Sequence, residues 1–186
     1  MQNLVDDIAD ALRQIDQSGL PFKSFRPGVG PYGEPQLIRL IATHLVSINE
    51  DSYRGARTCR APDLLIPGRW ALEFKIVRPF GDNGIEAEHW SQNLLHPYRG
   101  NVSAISDAIK LLEHRVVEQR AIVAICYEHD PPKIDLEILL SAFELISKQL
   151  MHIPLSRRYS APVVACIHPI HQRAKVHGWM LGTEIT

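Results

Sequence analysis

Cysteine is scarce in this sequence, with three residues among 186 and no Cys-x-x-Cys pair. Widely separated thiols in odd number are not the pattern of a disulfide-stabilised secreted domain, so we expect reduced thiols and a cytoplasmic location. No apolar run is long enough to cross a bilayer, and the first residues lack the regions of a secretory signal. We therefore expect a soluble protein without a membrane partner.

The sequence also lacks an excess of charge of either sign, because its formal net charge is only -1. This value excludes a globally basic, histone-like binder, but it leaves room for a local basic groove. Hydrophobic residues make up 45% and charged residues 22%, as is ordinary for a globular protein. The length fits one domain, which we place over residues 1–186.

The periodicity of apolar residues predicts alternating helices and strands. The expected helices cover residues 3–17, about 34–48, 102 to about 117, and 134–150. The expected strands cover residues 53–60 (an edge strand), 63–66, 70–77, 121–126, 162–167 and 174–181. Residues 78–101 have weak periodicity and should form a loop or a broken helix. This order favours an α/β fold, with a mixed central sheet flanked by helices.

One predicted hairpin carries an acid and a base side by side. In its second strand, alternation places Glu73 and Lys75 on the face opposite Phe74. A three-residue loop over 67–69, with its central glycine, would place Asp63 opposite Glu73. A two-residue turn would instead turn Asp63 toward the core.

In the three-residue register, the carboxylates of Asp63 and Glu73 lie close enough to repel each other, since paired Cβ atoms are only about 5 Å apart. A hard divalent cation with oxygen ligands, Mg²⁺ or Mn²⁺, is the natural occupant of such a site. A metal there suits phosphodiester hydrolysis, with Lys75 positioning water or stabilising charge in the transition state.

At these residues the chain resembles the PD-(D/E)XK, or restriction-endonuclease-like, nuclease superfamily. Pro62-Asp63 matches the first half of its motif, and Glu73-Phe74-Lys75 matches the second half. The resemblance implies an αβββαβ core over about residues 34–126, followed by a C-terminal α/β extension. It also implies metal binding by Asp63 and Glu73 and a catalytic Lys75. Many members use a further acid from the preceding helix, for which Glu34 is the candidate.

Several other residues have a functional and a structural interpretation. Glu34 is also favoured at a helix N-terminus by the macrodipole alone. Arg54, Arg57 and Arg60 precede the motif and are candidates for substrate binding, but charges also protect an edge strand from aggregation. Asp107 lies on the polar face of the following helix, where a solvated position is the simpler interpretation.

Four residues near the C-terminus have side chains that can bind zinc, namely Cys166, His168, His171 and His177. Their spacing matches no standard zinc pattern, so the sequence does not predict such a site.

These observations predict a Mg²⁺-dependent endonuclease acting on DNA, of restriction or repair type. A DNA target with two-fold symmetry would favour a homodimer. Two alternatives stay open: a catalytically inactive nuclease-fold module for binding or assembly, and an unrelated α/β protein in which the motif is coincidental.

Overall fold

A mixed six-stranded sheet with helices on both faces organises the computed structural model, which describes residues 1–98 and 100–182. The helices are α1 (Gln2–Gln17), α2 (Glu34–Ile48), α3 (Glu50–Tyr53), α4 (Gln92–Leu95), α5 (Ala104–Glu113) and α6 (Leu136–Leu145), the last continued by a π-helical turn over Ile146–Leu150. The strands are β1 (Arg57–Thr58), β2 (Leu64–Ile66), β3 (Trp70–Val77), β4 (Gln119–Glu128), β5 (Tyr159–Val163) and β6 (Arg173–Leu181). The α/β fold class and the mixed sheet are therefore confirmed.

The spatial order of the strands is β1-β2-β3-β4-β6-β5. The two central strands, β3 and β4, run parallel, and every other neighbouring pair is antiparallel. Both central strands are nearly continuous runs of buried residues, as expected for strands covered on both faces. The crossover between them contains α4 and α5, which explains why these strands can be parallel.

Each face of the sheet has its own apolar core. Helices α1 and α2 pack on one face, where β3 contributes Leu72, Phe74 and Ile76. Helices α4, α5 and α6 pack on the other face, where β3 contributes Ala71 and Val77. Between these two residues, on the second face, the strand carries Glu73 and Lys75, so the acid and the base project beneath α5 and not into open solvent.

Two elements begin and end at the residues that the sequence predicts. They are the helix Glu34–Ile48, with Pro35 in its first turn, and the strand Trp70–Val77. The predicted edge strand over 53–60 is wrong for most of its length, because only Arg57–Thr58 is extended. Its first part is taken by α3, where the side chain of Asn49 caps the helix by accepting the backbone N–H of Ser52.

Other predicted elements are shorter or shifted. Helix α5 begins at Ala104 because the Ser103 side chain caps it by accepting the N–H of Ser106. The strand predicted over 162–167 lies at Tyr159–Val163, since its partner β6 ends its pairing at Ala174 opposite Val163. The prediction that this strand pairs with the last one is confirmed.

Within the described ranges, no helix is long and apolar enough to cross a membrane.

Candidate active site

The hairpin between β2 and β3 has the predicted three-residue connection. Leu64 pairs with Leu72, and Ile66 pairs with Trp70. Gly68 has φ 71°, a left-handed conformation that glycine adopts without strain, and the N–H of Arg69 donates to the carbonyl of Ile66. By this register, the residue before β2 lies opposite Glu73, so Asp63 belongs to the same face as Glu73.

Strand β2 is short, and its end leaves part of the β3 edge without a neighbouring strand. Two carboxylates take the place of the missing strand. Asp63 Oδ2 accepts the backbone N–H of Phe74 at 2.9 Å, and Glu34 Oε2 accepts that of Ile76 at 3.0 Å. Each acid is thereby fixed by one oxygen and keeps its second oxygen for another partner. The hairpin and α2 thus each place one carboxylate at the same edge of β3.

Glu73 and Asp63 meet as close neighbours. Burial, followed by the negative charge of Asp63 and a hydrogen bond between the two side chains, raises the pKa of Glu73 to about 9. In the absence of a cation, the protonated form of Glu73 is therefore favoured, as expected for a buried carboxyl group beside a second carboxylate. Burial also raises the pKa of Glu34, and the charge of Asp63 contributes.

Lys75 is buried, with only 5% of its surface exposed. Its Nζ forms ion pairs with Asp107 Oδ2 at 2.7 Å and with Glu34 Oε1 at 3.5 Å, and it donates to the carbonyl of Phe74 at 2.9 Å. Burial alone would lower the pKa of Lys75, but the neighbouring carboxylates outweigh it and raise the pKa. Lys75 is therefore a fixed positive charge, held by Asp107 and Glu34, beside the Asp63–Glu73 pair.

The prediction of a solvated Asp107 is wrong, since this residue is only 5% exposed and joins the site through Lys75. Its other oxygen accepts from Lys110 Nζ at 2.8 Å, and the lysine side chain is half exposed. Asp107 lies at helical spacing from the buried residues Ala104 and Leu111. That spacing was a signal that an acid would be buried here, because residues at i, i+3 and i+7 share one face.

The charges of the site suit one divalent ion. Four carboxyl groups, from Glu34, Asp63, Glu73 and Asp107, face two ammonium groups, from Lys75 and Lys110. With every group ionised, a net charge of −2 remains, which one Mg²⁺ or Mn²⁺ ion would neutralise. The protein without an ion compensates by keeping the proton on Glu73. Paired carboxylates with free oxygens are the donors that these hard cations prefer, so the residues present fit the ion.

The three predicted substrate-binding arginines lie in different surroundings. Arg60 is exposed and lines a pocket together with Glu34 and Asp63. Arg54 lies at the end of α3 and pairs with Asp51 at 3.3 Å, both largely exposed. Because residues 50–53 form α3 and only Arg57–Thr58 is extended, Arg54 and Arg60 do not lie on one strand. Arg57 lines a neighbouring pocket between α2 and β1, which shares Arg39 and Thr58 with the pocket of Arg60.

A second opening borders the site from the other direction. It is lined by Glu34 and Arg78, together with residues of the 78–101 segment that include His89, Trp90 and Asn93. The sequence prediction of a loop or broken helix is confirmed here, since the described residues of this segment contain only the short helix α4. Glu34 lines both openings, each of about 330 Å³, so the acids lie between Arg60 and Arg39 on one side and Arg78 on the other.

Comparison with protein-family models, with curated proteins and with solved structures finds no significant match to this chain.

Proposed function

We propose that this protein is a Mg²⁺- or Mn²⁺-dependent nuclease that hydrolyses phosphodiester bonds in DNA. The observation that carries the proposal is the hairpin register that places the carboxyl groups of Asp63 and Glu73 opposite each other, beside the buried ammonium group of Lys75. The pair needs a cation when both members are ionised, and the lysine supplies a fixed positive charge where a phosphate would acquire negative charge.

Each residue has a role that follows from its contacts. Asp63 and Glu73 would hold the divalent ion, and Glu34 would supply a further oxygen from α2. When bound, the ion would polarise a phosphoryl oxygen. Lys75 would orient the attacking water and stabilise the charge on the pentacovalent transition state. Asp107 is a positioning residue, because its 2.7 Å ion pair fixes the Nζ of Lys75 without using Asp63 or Glu73.

Nucleic acid is the favoured substrate class because guanidinium groups flank the acids on both sides. Arg39 and Arg60 border one opening, and Arg78 borders the other. A polyanionic chain that crosses the acids would meet positive charge before and after the scissile phosphate. The order of helix α2, edge strand β1, hairpin strands β2 and β3, helix α5 and buried strand β4 also supports a restriction-endonuclease-like core. Homodimer formation stays a prediction.

The test is cleavage of supercoiled plasmid and of single-stranded DNA and RNA oligonucleotides, with Mg²⁺, Mn²⁺ or EDTA. We expect metal-dependent cleavage by the wild-type protein and a loss of about 10²–10³-fold in Lys75→Met, which keeps most of the side-chain volume. Lys148→Ala is the control, since Lys148 is exposed on the π-helical turn outside the site. Circular dichroism checks that both variants are folded.

Equal cleavage by the wild-type protein and the Lys75→Met variant would contradict the proposal. Binding of DNA without cleavage under any metal condition would instead identify the inactive binding module.

A further inference from the structure

A second group of ionisable side chains lies outside the candidate active site. It contains Asp82, from the segment after β3, and His168 and His171, from the loop between β5 and β6. One side-chain atom of each residue, Asp82 Oδ1, His168 Nε2 and His171 Nδ1, lies within 4.8 Å of the other two. Of the four residues that raised zinc in the sequence, the structure brings only His168 and His171 into this group, and it adds Asp82.

The three converging atoms are buried and lack hydrogen-bond partners among the described residues. His168 is 1% exposed and His171 is 2% exposed, so bulk water does not solvate their rings. A buried polar atom without a partner costs about 1–3 kcal/mol, and three such atoms within 4.8 Å of one another are unusual in a native fold. The arrangement calls for an occupant that interacts with all three atoms.

The protonation of His171 is defined by its other nitrogen. Nε2 lies 3.0 Å from the carbonyl oxygen of Phe80, so it carries the proton and donates. The lone pair of Nδ1 therefore faces Asp82 Oδ1, which is only 3.5 Å away. Two acceptors in this position repel each other unless a cation lies between them. A metal-bound histidine commonly donates its second N–H to a backbone carbonyl in this way.

The distances within the group can be compared with those expected around a metal ion and around a water molecule. Two ligands about 2.1 Å from a tetrahedral ion are about 3.4 Å apart. Two hydrogen-bond partners of one water, each about 2.8 Å away, are about 4.5 Å apart. The 3.5 Å between His171 Nδ1 and Asp82 Oδ1 matches the ion, and the 3.9 Å between His168 Nε2 and Asp82 Oδ1 lies between the two values.

Gly30 allows the loop before α2 to pack directly against the His171 side chain. A Cβ atom at this position would lie 2.3 Å from Nδ1, 2.5 Å from Cβ and 2.6 Å from Cγ of His171. Any other residue would therefore displace the ring, and with it Nδ1.

We propose that Asp82, His168 and His171 bind one divalent transition-metal ion of the zinc class. Imidazole nitrogens suit such an ion and are poor ligands for Mg²⁺, so this site and the Asp63–Glu73 pair select different metals. In the metal-free protein, His168 Nδ1 accepts the backbone N–H groups of Ile170 and His171 at 3.2 and 3.3 Å, so its neutral ring carries a proton on Nε2. Binding of the ion through Nε2 would move this proton to Nδ1, so the ring would stay neutral and the two long backbone contacts would be given up.

The ion would connect segments that are far apart in sequence. Asp82 lies five residues beyond the end of β3 (Val77), the strand that carries Glu73 and Lys75. It belongs to the 78–101 segment, which forms one wall of the opening beside Glu34. The histidines belong to the β5–β6 loop, and Gly30 belongs to the loop before α2. The site is therefore structural: it would fix the wall of the candidate active site without contacting a substrate.

The experiment is a calorimetric titration of the chelator-treated protein with Zn²⁺, accompanied by thermal unfolding. We expect one ion per chain and an increase in Tm of about 5–10 °C at 100 times Kd. Asp82→Asn and His171→Gln should weaken binding at least tenfold. Asp82 is partly exposed, so its variant tests the site even if His171→Gln fails to fold.

His177→Gln is the matched control, because His177 is also buried but contacts Ser160 outside this group. Asp63→Asn separates this proposal from the nuclease proposal, since it should leave Zn²⁺ affinity unchanged. The metal site would be overturned if the wild-type protein binds no Zn²⁺ at 100 μM (about −5.5 kcal/mol) or if binding is equal in Asp82→Asn. An ordered water at the centre of the group in a Zn²⁺-soaked crystal would also overturn it.

Discussion

The two groups of ionisable side chains differ in how their charges are balanced when no metal is bound. Around the β2–β3 hairpin, Lys75 pairs with Asp107 and Glu34, and burial next to Asp63 raises the pKa of Glu73 and favours its protonated form. In the group of Asp82, His168 and His171, three converging atoms have no partner among the described residues. The first group can therefore rest without an ion, whereas the second is left with buried, unsatisfied atoms.

This difference suggests different uses of metal. An ion that enters and leaves during function needs a site with a stable metal-free state, and protonation of Glu73 supplies one. An ion that holds the fold together needs a site whose empty state is unfavourable. Substitutions that change the charge balance of the hairpin site test this difference.

The largest expected effect comes from Asp107→Asn, which removes the closest counter-ion of a buried lysine. Removal of one member of a buried pair is costly because the other charge is left uncompensated, so we expect a loss of about 3 kcal/mol in the free energy of unfolding. Urea denaturation measures it. Glu113→Gln, exposed at the end of the same helix, is the control and should change stability by less than about 0.5 kcal/mol. A similar small change for Asp107→Asn would show that Lys75 does not depend on this partner.

A smaller effect, of opposite sign, is expected for Glu73→Gln in the presence of EDTA. The pKa of Glu73 is raised in the folded protein, so folding takes up a proton between the unfolded value of 4.5 and about 9. The stabilising contribution of the protonated form is complete below pH 4.5 and is lost as pH rises toward 9. Glutamine needs no such proton, so the variant should gain about 1 kcal/mol or more at pH 8, an increase of about 2–4 °C in Tm.

The same measurement at pH 5 should show a much smaller gain, because glutamate is then largely protonated in the folded protein and partly protonated in the unfolded chain. A gain that is equal at pH 5 and pH 8 would mean that the proton on Glu73 is not its source. A loss of stability at pH 8 would mean that the side chain is held in its ionised form.

Much of the hairpin site could be predicted from local sequence. Alternation along β3 separated Glu73 and Lys75 from Phe74, and the glycine of the turn defined the register that brings Asp63 to Glu73. Pro35 in the first turn placed the start of α2, and with it Glu34. These features depend on residues within a few positions of one another, where backbone geometry leaves few alternatives.

Features that depend on distant packing could not be predicted in this way. The periodicity of apolar residues predicted a helix here, but a solvated position was the simpler interpretation of Asp107, whereas Asp107 lies on the buried face with Ala104 and Leu111. Asp82 meets His168 and His171 only through the folded sheet, since β4 and β6 bring the β5–β6 loop next to the segment after β3. No local spacing connects residues so far apart in the chain.

The most direct test of the central claim is a crystal structure of the protein soaked in Mn²⁺, with data collected to locate manganese by its anomalous scattering. We expect a peak within about 2.3 Å of oxygen atoms from both Asp63 and Glu73, with Lys75 still paired to Asp107. The absence of a peak at this pair at millimolar Mn²⁺ (about −4 kcal/mol) would contradict the proposed metal site.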